Sequence, residues 1–339
     1  MLAREVLEEL VRVLGRENVL TEPEDLLTYA YDATAAMKHH KPDVVVAPLS
    51  TEQVADVVKI ALRYHVPIYP RGSGTNLSGG TIPTAGGIVL SLLHLNKILE
   101  VDQDNLTATV QPGVIIQALN DEAAKYGLLY PPDPGTVTTA TMGGSVSECS
   151  GGLRGLKYGV TKHYIMGLQI VLANGEVIRW GGKTVKNVTG YDLVALFTGA
   201  EGTLGIITEI IVKLIPAPEA RKSILAVFDD VDKAGKAIAA IIRNKIIPAT
   251  LEILDNVTIQ TVENFVHAGL PMDAEAVLLC EVDGYKEVVK REAVLVEQIL
   301  KDEGAVQVKI AKDDKERDLL WLARRSALPA LAQKRPTTV

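Results

Sequence analysis

The 339-residue chain has only two cysteines, Cys149 and Cys280, far apart in sequence. A disulfide framework is therefore excluded as the source of its stability. No secretory hydrophobic segment opens it, because Met1-Leu2-Ala3-Arg4 runs straight into a glutamate-rich amphipathic pattern, so a reducing, cytoplasmic setting is expected. Long apolar runs are missing too. Ile206 to Ile215 is broken by Glu209 and Lys213, well short of the roughly 20 residues a membrane span needs. With a net charge of −7, the chain lacks the attraction to phosphate backbones on which nucleic-acid binders rely. Aromatics at 4% leave little for base stacking. His39-His40, His65 and His163 form no metal-ligand spacing such as H-x-x-x-H, so no metal site is expected from them.

What the chain has is apolar bulk and clustered glycine. A hydrophobic share of 47% supports a core in each of two domains. Of the 28 glycines, 19 lie in three stretches, Gly72 to Gly87, Gly135 to Gly159 and Gly181 to Gly205, which suggests loops converging on one extended object. The alternative is tight turns in a strand-rich domain.

Helical periodicity marks Leu2 to Leu14 and Pro23 to Tyr31. A β-α-β unit follows: strand Val44 to Pro48, a helix capped by Ser50 or Thr51 with Val54, Val57, Val58, Ala61 and Leu62 on one face, and strand Val66 to Tyr69. Strands are expected at Gly87 to Leu92, Ile98 to Asp102, Leu106 to Gln111, Ile165 to Leu172, Glu176 to Trp180 and Gly205 to Leu214, with a helix from Ile115 to Lys125. Asn174-Gly175 signals a type I′ hairpin. Pro216-Ala217-Pro218 reads as a linker, after which strands and helices alternate in ferredoxin-like order, with helices on one face of an antiparallel sheet. The expected class is α+β, divided into N-terminal helices (1–40), a domain of two α/β subdomains (41–218) and a second domain (219–339).

The first cluster, PRGSGTNLSGG from Pro70 to Gly80, fails the dinucleotide fingerprint because Leu77 stands at the third glycine and no helix can open behind it. Gly182-Lys183-Thr184 fails as a phosphate loop because Val177 replaces its first glycine. There remains a loop whose N–H groups, with Ser73, Thr75 and Asn76, can form an anion nest suited to a pyrophosphate. The second cluster sets small residues beside Asp133, Ser145 and Ser147, leaving bare backbone for a large group. The third ends in GAEGTLGIITEI, where Gly202 and Gly205 precede the apolar edge Ile206-Ile207.

These segments resemble the FAD-binding domain of the p-cresol methylhydroxylase and vanillyl-alcohol oxidase superfamily, and within it the FAD-binding subunit of glycolate oxidase and its D-lactate and D-2-hydroxyglutarate dehydrogenase relatives. PRGSGTNLSGG resembles the pyrophosphate loop, MGGSVSECSGGLRGLKYG a second flavin segment, GGKTVKNVTGYDL a segment beside the flavin, and GAEGTLGIITEI the strand under its ring. The resemblance runs from VVVAPLSTEQVADVVKIA to WLARRSALPAL. It implies non-covalent FAD held by Pro70, Arg71, Gly72, Ser73, Gly74, Thr75, Asn76, Gly79, Asp133, Gly143, Gly144, Ser147, Gly151, Gly152, Tyr158, Gly159, Gly202, Ile206 and Ile207. One departure is Cys149-Ser150, where asparagine and alanine are usual; Cys149 is weighed as a covalent tether against a small packed thiol.

The resemblance also implies oxidation of a small 2-hydroxy acid, glycolate or D-lactate, by hydride transfer to flavin N5. Arg324 matches the family's substrate arginine, and its planar fork suits a carboxylate. Arg325 is expected on the surface. Lys183 and Lys186 are candidate cations for the reduced flavin, against the commoner solvated lysine. An iron-sulfur subunit or an electron-transfer flavoprotein is the implied partner. The family's base and divalent-metal ligands come from a further C-terminal segment that the sequence does not reach before Val339, so a truncated chain of little activity is expected. The competing readings are a non-catalytic flavin-binding electron-transfer or scaffold subunit, and a sugar-nucleotide reductase, which the Trp321 to Leu328 match disfavours.

Overall fold

The computed structural model describes residues 2–35 and 37–335, so Pro336-Thr337-Thr338-Val339 of the expected truncated end lies outside the described residues. The chain divides into two compact units, Met1–Gly151 with Val160–Pro216, and Gly152–Gly159 with Ala217–Val339. Among the described residues no helix is long and apolar enough to cross a membrane.

The first unit opens with α1 (Arg4–Leu14), β1 (Val19–Leu20), α2 (Pro23–Thr28), β2 (Val44–Val46), α3 (Thr51–Tyr64), β3 (Ile68–Arg71) and β4 (Ile88–Ser91). The strands form a sheet of order β1-β2-β4-β3, with β4 parallel to both β2 and β3. The β-α-β unit is therefore present, with β4 inserted between its two strands. α3 starts where Ser50 Oγ accepts from the Gln53 N–H at 3.3 Å, and it buries Val54, Val57, Val58 and Ala61 against the sheet. Leu62, expected on the same face, is 54% exposed. It sits in the last turn and lines an open groove with Val66 and Ile68.

The rest of this unit runs β5 (Ile98–Asp102), β6 (Thr107–Val110), α4 (Ile116–Ala124), β7 (Leu128–Leu129), α5 (Met142–Glu148), β8 (Ile165–Val171), β9 (Val177–Gly181), α7 (Leu193–Phe197), β10 (Ile206–Lys213) and β11 (Ile215–Pro216). Its main sheet is antiparallel in the order β5-β6-β10-β8-β9. The turn at Asn174-Gly175 differs from the type I′ expectation. Gly175 has φ +82° but Asn174 is not in the positive-φ region. The Gly175 N–H bonds the Leu172 carbonyl at 2.8 Å, and the Leu172 N–H bonds the Glu176 carbonyl at 2.9 Å. This is a three-residue loop closed by a left-handed glycine, which tolerates asparagine without forcing it to positive φ.

The second unit holds α6 (Gly155–Tyr158), β12 (Ala220–Phe228), α8 (Val231–Arg243), β13 (Thr250–Asp255), α9 (Asn256–Val266), β14 (Ala276–Gly284), α10 (Lys286–Asp302), β15 (Gln307–Ile310), α11 (Asp314–Arg325) and α12 (Ala327–Lys334). Its sheet is antiparallel, ordered β13-β14-β12-β15. Helices cover both faces, not one. Ile224, Phe228, Leu278 and Cys280 pack with residues of α8 and α10, while Leu225, Val227, Val277 and Leu279 pack with residues of α9, α11 and α12. The near-continuous burial of β12 and β14 is the signature of a sheet covered on both sides.

Candidate functional site

The site of the first unit begins where the parallel strands end. Beyond Arg71 the backbone cannot enter a helix, and Gly74 turns it through the left-handed region at φ +71°. Among the described residues nothing accepts a hydrogen bond from the N–H groups of Gly72, Ser73, Gly74, Thr75 or Asn76. Five successive peptide donors thus remain for an anion.

Side chains around this loop hold it from behind. The buried Arg71 guanidinium donates to the Tyr31 carbonyl at 2.7 Å and to Thr81 Oγ1 at 3.3 Å, and lies 5.5 Å from the Tyr29 ring centroid. Burial pulls it below its ordinary value, and the charge of Asp32 opposes that pull. Asp32, itself buried, accepts from the Thr34 N–H at 2.8 Å, Asn76 Nδ2 at 2.8 Å and Thr81 Oγ1 at 3.1 Å. Burial alone would raise the Asp32 carboxyl, but these bonds outweigh it and hold it below the ordinary carboxylate range. The Asn76 side chain is therefore committed to positioning the loop rather than free to meet an anion.

The second wall is α5, a helix inside the second glycine cluster. Thr141 caps it by accepting from the Gly144 N–H at 3.3 Å. A Cβ on Gly72 would come within 2.2 Å of that capping Oγ1, and one on Gly143 within 2.5 Å of the Pro112 ring. After α5 the chain turns left-handed at Cys149 and brings three hydroxyls together: Ser145 Oγ lies 2.5 Å from Ser150 Oγ and 3.1 Å from Thr161 Oγ1. The third wall is Glu201 to Ile207, with Ile206 and Ile207 buried at the start of β10.

Together these walls enclose a cleft of ≈ 360 Å³ with Leu92 and Ile206 on its apolar side and Gly72–Asn76, Ser145 and Ser147 on its polar side. Glu148 stands at its rim, accepting from Ser78 Oγ at 3.1 Å. Burial pushes the Glu148 carboxyl above its ordinary value; the Ser78 bond opposes this, and the charges of Glu201 and Asp32 add to it.

Of the residues expected to hold a cofactor, Pro70, Arg71, Gly72, Ser73, Gly74, Thr75, Asn76, Gly143, Gly144, Ser147, Gly151, Gly202, Ile206 and Ile207 line this cleft, and so does Cys149. The others do not. Gly79 packs against Met37, and Asp133 is buried beside Pro134, which does line the cleft. Gly152, Tyr158 and Gly159 belong to the second unit, where Tyr158 OH donates to Asp283 Oδ2 at 2.8 Å.

Lys183 lies 2.7 Å from both Glu100 and Asp102, Lys186 is exposed, and neither lines the cleft. In the second unit Arg324 donates through Nε to Glu252 Oε2 at 2.8 Å. Arg325 is partly buried. Sequence reasoning missed Asp32, Glu148, Glu201 and Glu252. Only Glu148 and Glu201 carried a signal, as acids inside glycine clusters. Among the described residues no group of three or more His, Cys, Asp or Glu is placed to hold a metal ion.

The cleft fits FAD on three counts: peptide donors without acceptors, walls where added Cβ atoms would collide, and an isoleucine edge for a planar ring. Comparison with known proteins agrees. Residues 42–181 match the FAD binding domain family, and residues 217–339 match the C-terminal domain of FAD linked oxidases. The chain is 51% identical over 339 residues to the glycolate oxidase subunit GlcD of Bacillus subtilis (strain 168), covering 100% of this chain and 72% of that one. It is 40% identical over 318 residues to GlcD of Escherichia coli (strain K12), covering 94% and 63%. To the D-lactate dehydrogenase of Anaerostipes hadrus it is 33% identical over 330 residues, covering 95% and 69%.

Two solved structures share the fold. An alkyldihydroxyacetonephosphate synthase superposes with a TM-score of 0.83 at 23% identity, covering 99% of this chain and 65% of the other. A substrate-bound p-cresol methylhydroxylase does so with 0.77 at 21% identity, covering 94% and 68%.

Two outcomes follow from this geometry. Gly72→Val displaces the Thr141 cap, worth about 1 kcal/mol, and should weaken FAD binding about fivefold or more by fluorescence titration; unchanged affinity would contradict the packing. Glu148→Gln tests the raised carboxyl. A carboxyl held above its ordinary 4.5 contributes stability below that value and loses it as pH rises through the folded value. The variant should therefore melt higher than the parent chain at about pH 8 and at the same temperature at about pH 4. An equal shift at both would show that the charge is not responsible.

Proposed function

The chain belongs to the FAD-linked oxidases, in the family that includes the glycolate oxidase subunit GlcD, and on that premise we propose that it oxidises a small 2-hydroxy acid, glycolate or D-lactate, to the 2-oxo acid. The observation that carries the reading is the 51% identity to a glycolate oxidase subunit over the whole of this chain. The bound flavin supplies the hydride acceptor at N5. The residues of the chain do the rest of what is assigned here. The Gly72–Asn76 donors hold the pyrophosphate, and Gly143, Gly144, Gly202 and Ile206-Ile207 shape the wall for the ring system. Arg324 takes the substrate carboxylate, for which its planar fork supplies two parallel donors.

The relatives' designation as a subunit supports action alongside further chains, and an iron-sulfur protein or an electron-transfer flavoprotein is the proposed electron acceptor. It also keeps a second reading open, a flavin-binding electron-transfer or scaffold subunit that does not itself turn over a hydroxy acid. Stopped-flow spectroscopy separates the two. Mixing the FAD-loaded chain anaerobically with glycolate or D-lactate should bleach the oxidised flavin band, and Arg324→Ala should slow bleaching about 100-fold or more at subsaturating acid. Bleaching only by a reduced protein partner would refute the oxidation and favour the second reading.

A further inference from the structure

In the second unit α11 packs over one face of the sheet with Trp321 and Arg324 one turn apart. That face changes character along the strands. Val277, Leu279, Glu281 and Asp283 alternate onto it from β14, and the register sets Glu252 beside Leu279, and Thr250 and Ser223 beside Glu281. An aliphatic surface thus gives way to three carboxylates.

Each carboxylate is already engaged. Glu281 accepts from Ser223 Oγ at 2.6 Å and from Trp321 Nε1 at 3.0 Å. Asp283 accepts from Lys157 Nζ at 2.5 Å and from Tyr158 OH at 2.8 Å. Glu252 takes two donors on a single oxygen: Oε2 lies 2.8 Å from Arg324 Nε and 2.7 Å from Nη2.

The geometry of this last pair is asymmetric. A guanidinium has five N–H donors. Glu252 occupies the Nε/Nη2 edge, and among the described residues nothing accepts from Nη1. The Nη1/Nη2 end therefore keeps a second, parallel pair of donors on a side chain that is 30% exposed. A free arginine would rotate about its long stem and present either edge. This one is held by one edge and presents the other.

We propose that Glu252 is a positioning residue for Arg324, and that the pair accepts one carboxylate and disfavours a second. This rests on the proposed oxidation of glycolate or D-lactate, and it assigns to Glu252 a part in the preference for such monocarboxylic acids. A single carboxylate docks on the free end of the guanidinium. A dicarboxylate brings a second negative charge for which the pair offers no second cation, since Arg324 is shared with Glu252 and Lys157 with Asp283. The charge of Glu252 beside that end makes a second anion there unfavourable.

The test uses the FAD-loaded full chain and its Glu252→Ala and Glu252→Gln variants. Glycolate and 2-hydroxyglutarate serve as reductants in stopped-flow bleaching. The corresponding 2-oxo acids serve as non-reducing probes, read as shifts of the flavin absorption band. With Glu252→Ala the glycolate dissociation constant should rise about tenfold while the limiting bleaching rate, FAD affinity and melting temperature stay close to the parent's. Glu252→Gln keeps an acceptor for Nε–H but drops the charge. It should restore most of the glycolate binding and improve dicarboxylate binding relative to glycolate by about tenfold, for the 2-oxo acids as for the hydroxy acids.

If glycolate binding is unchanged in both variants, or if the monocarboxylate preference survives Glu252→Gln, the assignment of Glu252 is overturned while the oxidation stands. A lower melting temperature with unchanged dissociation constants shows a merely structural ion pair and overturns it equally. Failure of the parent chain to respond to any of the four acids overturns the oxidation, and this assignment with it.

Discussion

Five peptide N–H groups left without acceptors among the described residues are the constraint around which the first unit is arranged. Unpaired backbone donors are costly unless a ligand or water takes them, so a loop that displays five in succession has to be held open by its surroundings. Asp32 does much of that holding. It draws Thr34, Asn76 and Thr81 to one carboxylate, while Arg71 reaches back to the Tyr31 carbonyl. The loop is thereby pinned by its neighbours, and its residues line the same cleft as those of α5 and β10. The energetic logic is preorganisation: the anion meets donors already in place, so ordering the loop is not charged against binding.

The same logic recurs in the second unit with a side chain in place of backbone. Arg324 is pinned along one edge by Glu252, as the loop is pinned by Asp32, and in each case the group that does the pinning is an acid remote in sequence. Around it the sheet is buried on both faces, which gives α11 a firm floor and fixes the direction in which its arginine emerges. A long flexible cation on a packed helix, held at its Nε, is far better defined in position than the same residue on a solvated surface.

The regular elements were legible because their periodicities are clean. Val54, Val57, Val58 and Ala61 mark the buried face of α3, and Ser50 its start. The flavin segments were legible through resemblance, and most of the glycines they named do line the cleft. The sequence was silent where structure depends on distant partners. Asp32 lies 44 residues from Asn76 and 49 from Thr81, and Glu252 lies 72 from Arg324, so no local pattern marks either acid. α5 escaped because Gly143 and Gly144 are poor helix formers; the Thr141 cap and the close approach to Pro112 override that propensity. Tyr158, expected beside the flavin, instead gives its hydroxyl to Asp283, a contact that only the excursion of residues 152–159 into the second unit makes possible. Coverage of the second sheet on both faces is written in the unbroken apolar run Ala276 to Cys280 of β14, where a one-sided sheet would alternate.

The central claim is that the peptide donors of Gly72 to Asn76 hold a pyrophosphate, and it is tested most directly by comparing two ligands that share an isoalloxazine ring. Isothermal titration of the cofactor-free chain with FAD and with riboflavin, which lacks phosphate, should give FAD an affinity about 100-fold higher or more, as two or more charge-assisted hydrogen bonds require. Equal affinities would show that the ring alone is bound and that the loop has another purpose.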